Sequence, residues 1–369
     1  MSKFLQIEML LAAHGDALWI EYGSATRTRR ILIDGGPIGT YEALQAKIDT
    51  LLPGANGFEA IILTHVDTDH VDGLVRLFAH KKSEWKFTTK DVWFNGWKHL
   101  SHLTLGGNQG EFFSALIANR LGDDKWNKAF GGETIVVPDV GNLPRVKLAD
   151  NFTITLLSPT PAKLEKMKKA WEKDVKTFEP GDLDAAWEAL AKQKKYLPDK
   201  TLLGSTPEID AELEKQAKPD NAAANGASIA FLAEFGEMSA LFLGDAHADA
   251  VASSIERLLI ARGEARLQVD AVKVAHHGSK ANVSDELLAL IESPHWLIST
   301  SGAQFKHPDE EAIKRIIARS THPKPTLHFN YRTQFNEMWD DDALRSKLRY
   351  ATVYNDSEAE PLALRLERK

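Results

Sequence analysis

The chain has 369 residues, with 52 acidic against 45 basic side chains, a net charge of −7, 43% apolar and 26% charged residues. That balance suits a globular protein with a sizeable core, argues against wholesale disorder, and shows no global basic footprint for nucleic acid. With no cysteine present, disulfides and thiolate metal sites are excluded, and any metal must be held by His, Asp or Glu.

In chain order, FLQIEMLLAA, ALWIEYG and RILIDGG read as strands, the last ending in a glycine pair. Glu8, His14 and Asp16 interrupt the first apolar stretch, which lacks the layout of a signal peptide. No run approaches the roughly 18 to 20 apolar residues of a membrane span, so a cytoplasmic protein with no membrane partner is expected. YEALQAKIDTLL has helical spacing, FEAIILT reads as a short strand buried on both faces, and VDGLVRLFAHK as a helix. DVWFNG, TIVVPD and FTITLLSP read as further strands. Residues 160–222 are dense in charge, with helical apolar spacing broken by Pro and Gly. They are expected to form a helical insertion within a single domain over 1–369, as a solvated cap outside the sheets or, alternatively, a substrate-guiding lid. From Ala227, ASIAFLAEFG, SALFLGD, LQVDAVKVAHHGS and HWLIST read as strands. HADAVASSIERLLIAR and DEEAIKRIIARS read as helices, and PLALRLE as a strand closing a sheet. Alternation in both halves implies an α/β protein whose sheets are covered by helices.

The stretch ILTHVDTDHVDGL sets His65, Asp67, Asp69 and His70 directly behind an apolar strand. In a turn after a strand, alternate residues can converge on one point. Burying such groups without partners costs several kcal/mol each, and a cation removes that cost. Oxygen and imidazole ligands suit zinc, manganese or iron. Taken alone, Asp67 or Asp69 could equally cap a helix. Three further strand ends add to the pattern: Asp34 in RILIDGG, Asp245 in LFLGDAHAD, and His276 with His277 in VKVAHHGS. Each alone also reads as a turn, cap or structural residue. Together they can meet at one sheet edge, where binding and catalytic groups concentrate.

ILIDGG, THVDTDHVDG, LGD and HHGS, in this order, resemble the metallo-β-lactamase fold superfamily. Asp67 stands where many members have a second histidine, which resembles the hydrolase domain of ComEC, the DNA-uptake channel protein. HGDALWI at Gly15 and Asp16, and NGAS at Asn225 to Ser228, match that branch as well. The resemblance covers nearly the whole chain except the insertion and part of the C-terminus. It implies an αββα four-layer sandwich with its metal site at the sheet edge. It also implies two divalent ions, Zn or Mn, with the oxygen-rich first site favouring manganese. His65 and Asp67 would hold the first ion, Asp69, His70 and His276 the second, and Asp245 would bridge. His276 is preferred to His277 because it comes first after the strand. His277 would then support a ligand or touch substrate, while Asp69 orients the attacking water or acts as base. Many relatives supply a further ligand histidine, for which His99 and His102 are the candidates here, neither in a clear motif. ComEC's membrane helices have no counterpart in this sequence, so channel function is not carried over.

Two cations ~3.5 to 4 Å apart share a hydroxide and clamp an oxyanion. The expected function is therefore a metal-dependent phosphodiesterase or nuclease, with nucleic acid as a candidate partner. The alternatives are a hydrolase of a lactone, thioester or other small ester, and a non-catalytic assembly module of a multi-gene system, such as a defence system, with a protein partner. A leaving-group proton is assigned to His277 or Lys280. Trp93, Trp97, Trp171, Trp187 and Trp296 are candidates for base stacking, with core or lid packing as the alternative.

Overall fold

The computed structural model describes residues 2–100, 108–175, 178–196, 222–357 and 360–368. The first sheet contains β1 (Lys3–Met9), β2 (Leu18–Ser24), β3 (Arg27–Ile33), β4 (Ala60–Ile62) and β5 (Val92–Trp93). The second contains β6 (Arg145–Lys147), β7 (Thr153–Ser158), β8 (Ala230–Phe235), β9 (Met238–Phe242), β10 (Ala271–Lys273), β11 (His295–Ile298), β12 (Thr326–Phe329) and β13 (Ala351–Tyr354). The last strand, β14 (Leu362–Arg368), returns to the first sheet and pairs antiparallel with β1. The strand orders are β14-β1-β2-β3-β4-β5 and β13-β12-β11-β10-β9-β8-β7-β6.

Period-two alternation sorts the side chains into three cores. Leu18, Ile20 and Tyr22 of β2 meet Met238, Ala240 and Phe242 of β9 between the sheets. The alternate residue Trp19 points the other way, into a core shared with α1 (Thr40–Asp49), α2 (Thr68–Ala79) and α3 (Asn108–Leu116). On the far side Leu232, Leu241, Val272 and Trp296 pack under the apolar faces of α6 (Ala248–Arg262) and α7 (Glu310–Arg319). The layers run helix, sheet, sheet, helix, the αββα sandwich expected.

The described part of the insertion forms α4 (Pro161–Asp174), started by the Thr160 side chain, and α5 (Leu183–Ala191), started by Asp182. It contributes no strand among its described residues, and residues 197–221 lie outside them. Its helices are not merely solvated. Leu164, Met167 and Trp171 sit at helical spacing, and with Leu190 and Tyr196 they are buried in the core over the first sheet. Polar clasps reinforce this: Asp72 of α2 accepts from Lys195 Nζ at 2.6 Å and from the Tyr196 hydroxyl. Shorter helices form at Trp97–Leu100, Ala222–Gly226, Asp285–Ala289 and Asp342–Leu348.

One expected strand is absent. TIVVPD forms none, although Ile135 and Val137 are buried between the sheets. The Asn95 amide takes the place of a neighbouring strand, accepting from Ile135 N at 2.8 Å and donating to Ile135 O at 2.7 Å. Among the described residues no helix is long and apolar enough to cross a membrane.

Candidate metal centre

Parallel pairing places the site. β3 pairs parallel with β4, and β9, β10 and β11 run parallel in the second sheet. Their C-terminal ends, carrying Asp34, His65, Asp245, His276 and Ser299, open on the same edge. Ile229 N donates to Thr64 O at 3.0 Å and ties the two sheets there. The α2 N-terminus lies directly on the Asp34 turn: a Cβ on Gly73 would sit 2.0 Å from Gly35 O. Only glycine permits that approach.

Of the expected site residues, His65, Asp67, Asp69, His70, Asp245, His276 and His277 all converge. His65 Nε2 is 3.5 Å from Asp67 Oδ2 and 3.9 Å from Asp245 Oδ2. His70 Nε2 is 3.8 Å from Asp69 Oδ2 and 3.6 Å from Asp245 Oδ1. His277 Nε2 is 3.5 Å from Asp69 Oδ2 and 3.8 Å from Asp245 Oδ2, and His276 Nε2 is 3.6 Å from Asp245 Oδ2. Among the described residues, two groups have ligand atoms close enough to hold an ion: His65, His70 and Asp245, and Asp69, His70 and His277. The second contains His277, the fully buried member of the pair, where the sequence favoured His276, whose side chain is 24% exposed at the rim. Both histidines have left-handed φ, 47° and 56°, which β-carbon-bearing residues rarely adopt and which concentrates at functional sites.

Neither alternative cap role is realised. Asp67 is the N-cap residue of α2, yet its side chain makes no cap hydrogen bond. The N-cap residue of α6 is His247, not Asp245. His99 is buried elsewhere, edge-on to Trp126 at 4.9 Å with Nδ1 accepting from Gly96 N, and belongs to neither group. His102 lies outside the described residues. Lys280 is largely exposed, 4.0 Å from Glu311. Trp93, Trp171 and Trp296 are buried and unavailable for stacking a base, and Trp187 receives the Arg120 guanidinium.

Hydrogen-bond bookkeeping fixes the tautomers. Thr64 Oγ1 donates to Asp34 Oδ2 at 2.7 Å, so it accepts from His65 Nδ1 at 3.0 Å. His70 Nδ1 donates to Asp34 Oδ2 at 2.9 Å, and His277 Nδ1 donates to Ser299 O at 2.9 Å. Asn282 spends its amide hydrogens on Asp245 O and Ala246 O, so its Oδ1 accepts from His276 Nδ1 at 3.0 Å. Every ring thus turns its other nitrogen, Nε2, towards the carboxylates. His65 Nε2, His70 Nε2, His277 Nε2 and Asp245 Oδ1 are buried with no hydrogen-bond partner. Buried polar atoms are almost always satisfied, and lone pairs facing carboxylates repel unless positive charge lies between them.

The electrostatics agree. Burial pushes the His70 imidazole down, yet Asp245, Asp69 and Asp34 raise it well above the ordinary histidine value. Burial also lowers His277, and Asp245 and Asp16 more than reverse it. Burial works upward on Asp245 and Asp69, but the surrounding histidines hold both below the ordinary carboxylate value. At Asp67 burial prevails and the carboxyl is raised. The pocket selects positive charge, and a second proton competes with a metal ion for the same Nε2 lone pairs. The donor set fits a divalent cation.

Behind His277 lies a pair whose role the sequence did not disclose. Lys273 Nζ donates to Asp16 Oδ2 at 2.6 Å, with the side chains 1% and 2% exposed. Asp16 Oδ1 is 3.6 Å from His277 Nδ1. A lysine inside the apolar strand run AVKVA was the available signal.

No family model and no curated protein matches the chain. Among solved structures it is similar to the metallo-β-lactamase fold protein YhfI from Bacillus subtilis, at 10% identity over 99% of this chain and 100% of that one, with a TM-score of 0.42. It is also similar to CmlA, a diiron β-hydroxylase from Streptomyces venezuelae, at 11% identity over 99% of this chain and 54% of that one, TM-score 0.37. A third is the metallo-β-lactamase SMB-1, at 14% identity over 84% and 92%, TM-score 0.31. At these identities and scores none of them bears on what this chain binds.

Proposed function

We propose that the protein is a metal-dependent hydrolase acting on phosphodiesters. The observation that carries the metal is the set of buried, partnerless atoms on His65, His70, His277 and Asp245. His65, Asp67 and Asp245 would hold one divalent ion, Zn or Mn, and Asp69, His70, His277 and Asp245 a second, with His276 at the rim. Bound divalent ions supply Lewis acidity and bring the pKa of a coordinated water towards ~7.

The rest is done by the chain. Asp34, Thr64 and Ser299 hold His70, His65 and His277 with Nε2 facing inward, so little reorganisation precedes reaction. Asp69 Oδ2, beside both His70 and His277, is the carboxylate edge that orients the attacking water. His276 and His307, with ring centroids 5.6 Å apart, line the open side where a leaving group departs. The phosphodiester reading is supported by the resemblance of THVDTDHVDG and HHGS to the ComEC hydrolase domain, and divalent ions held by these residues would offset the negative charge of a diester. Its test is protein loaded with manganese or zinc, assayed on bis-p-nitrophenyl phosphate, single-stranded DNA and a lactone panel. Diester cleavage lost on chelation is expected. Opening of lactones with no diester cleavage would overturn the substrate class.

A further inference from the structure

We propose that the loop over residues 301–309 is a stacking subsite for a nucleobase, which makes the substrate a nucleoside phosphodiester. This rests on the phosphodiesterase reading. The loop follows β11, the strand whose end holds His277 through Ser299, and it leads into α7. It is fastened at both ends to the site. Ser301 N donates to Ala13 O at 2.7 Å, and Asp309 N donates to Gly278 O at 3.0 Å. Asp309 Oδ2 in turn accepts from Lys280 N at 2.8 Å. Packing is tight as well: a Cβ on Gly278 would lie 2.8 Å from Pro308 Cβ.

From this loop Phe305 faces water, 43% exposed. It is the most exposed aromatic side chain among the described residues. Exposed apolar side chains occur elsewhere, at Leu52, Val140 and Ile260, and singly they mean little; what sets Phe305 apart is that it is an aromatic ring placed beside the candidate centre, while every tryptophan of the described structure is at least half-buried. A continuous series of rings joins Phe305 to the carboxylates. Its centroid is 6.2 Å from His307 at 29°, His307 is 5.6 Å from His276, and His276 Nε2 is 3.6 Å from Asp245 Oδ2. His14 closes the other side of Phe305, edge-on at 6.4 Å. The adjacent Lys306 is exposed and makes no ion pair among the described residues. An exposed ring beside a cation, one histidine away from a phosphodiester-cleaving centre, is the pairing that recognises a base and its phosphate without reading sequence.

The experiment uses the full chain loaded with manganese, as wild type, Phe305→Ala and Phe305→Trp, with metal content measured for each. Phe305→Trp adds a fluorophore to the nine native tryptophans, so quenching is read as the difference between Phe305→Trp and wild type, each titrated with thymidine 5′-monophosphate and, separately, with a short oligothymidylate. Saturable quenching by the mononucleotide shows a subsite for one nucleoside, and quenching by the oligonucleotide alone shows a subsite that needs a strand; either supports the proposal. In parallel, kcat/KM is measured for thymidine 5′-(p-nitrophenyl phosphate) and for methyl p-nitrophenyl phosphate. The ratio of the two should fall roughly tenfold in Phe305→Ala and be restored in Phe305→Trp. No quenching by either nucleotide, or an unaltered ratio at equal metal content, overturns the proposal even if diesters are cleaved. If the wild type cleaves neither diester, the phosphodiesterase reading fails and the quenching alone decides the subsite.

Discussion

The buried Lys273–Asp16 pair gives a sharp energetic test. Both side chains are almost wholly buried, and the ammonium has one other acceptor, Val274 O at 3.1 Å. Lys273→Met leaves the Asp16 Oδ2 carboxylate oxygen without its donor, and Asp16→Leu leaves a buried ammonium on one carbonyl. Breaking a buried pair from one side costs about 3 to 5 kcal/mol, because an uncompensated charge stays behind. Replacing both partners with apolar groups of similar volume costs far less. The double variant should therefore recover about 3 kcal/mol or more relative to the sum of the single changes. The assay is urea unfolding of the chelated protein, followed by circular dichroism, for all four corners of the cycle. Single changes that each cost under about 1 kcal/mol, or that simply add, would refute the pair as a coupled buried charge.

Other expectations follow from the same geometry. Asp34→Ala removes the acceptor that orients His70 and should weaken divalent-metal affinity about 10- to 100-fold while the chain stays folded, measured by competition with a chromogenic chelator. His277→Ala should lower metal affinity more than His276→Ala, because His277 Nε2 faces Asp69 and His276 stands at the rim; the same chelator assay ranks them. Glu111, fully buried with one oxygen on Gly181 N at 3.0 Å, has its pKa lifted by burial from 4.5 to about 7. An acid raised in the folded state stabilises fully below pH 4.5 and loses that contribution as pH rises towards 7, a fall on the order of 3 kcal/mol. Glu111→Gln should flatten that stretch of the stability–pH curve, and an unchanged slope would remove Glu111 as its source.

Much of the architecture was legible because its elements are periodic. FEAIILT and the ALFL of SALFLGD are continuously apolar because β4 and β9 are each covered on both faces. The clustering of the His/Asp motif was legible because the ends of parallel strands open on one edge. What was missed depended on side chains substituting for backbone, or on short elements. Asn95 satisfies Ile135 as a strand would, so an apolar run formed no strand. TLHF and ATVY form β12 and β13, each four residues long, too brief to show a period. In the insertion, lysines and glutamates masked the stripe of Leu164, Met167 and Trp171. The choice between His276 and His277 turns on two left-handed residues, and neighbouring identical side chains cannot reveal that. The groups that set the tautomers, Asp34, Thr64, Asn282 and Ser299, come from four separate segments that only the fold brings together.

The strand-end cluster is proposed here as a divalent-metal centre. Elemental analysis of the purified wild-type chain and of His70→Ala, each after equilibration with zinc or manganese and removal of free ion, tests it most directly. About two ions per chain are expected for the wild type and a clear deficit for His70→Ala, with unfolding of the wild type moving to higher temperature on metal addition. Wild-type protein that retains no divalent ion and whose unfolding is insensitive to metal would contradict it.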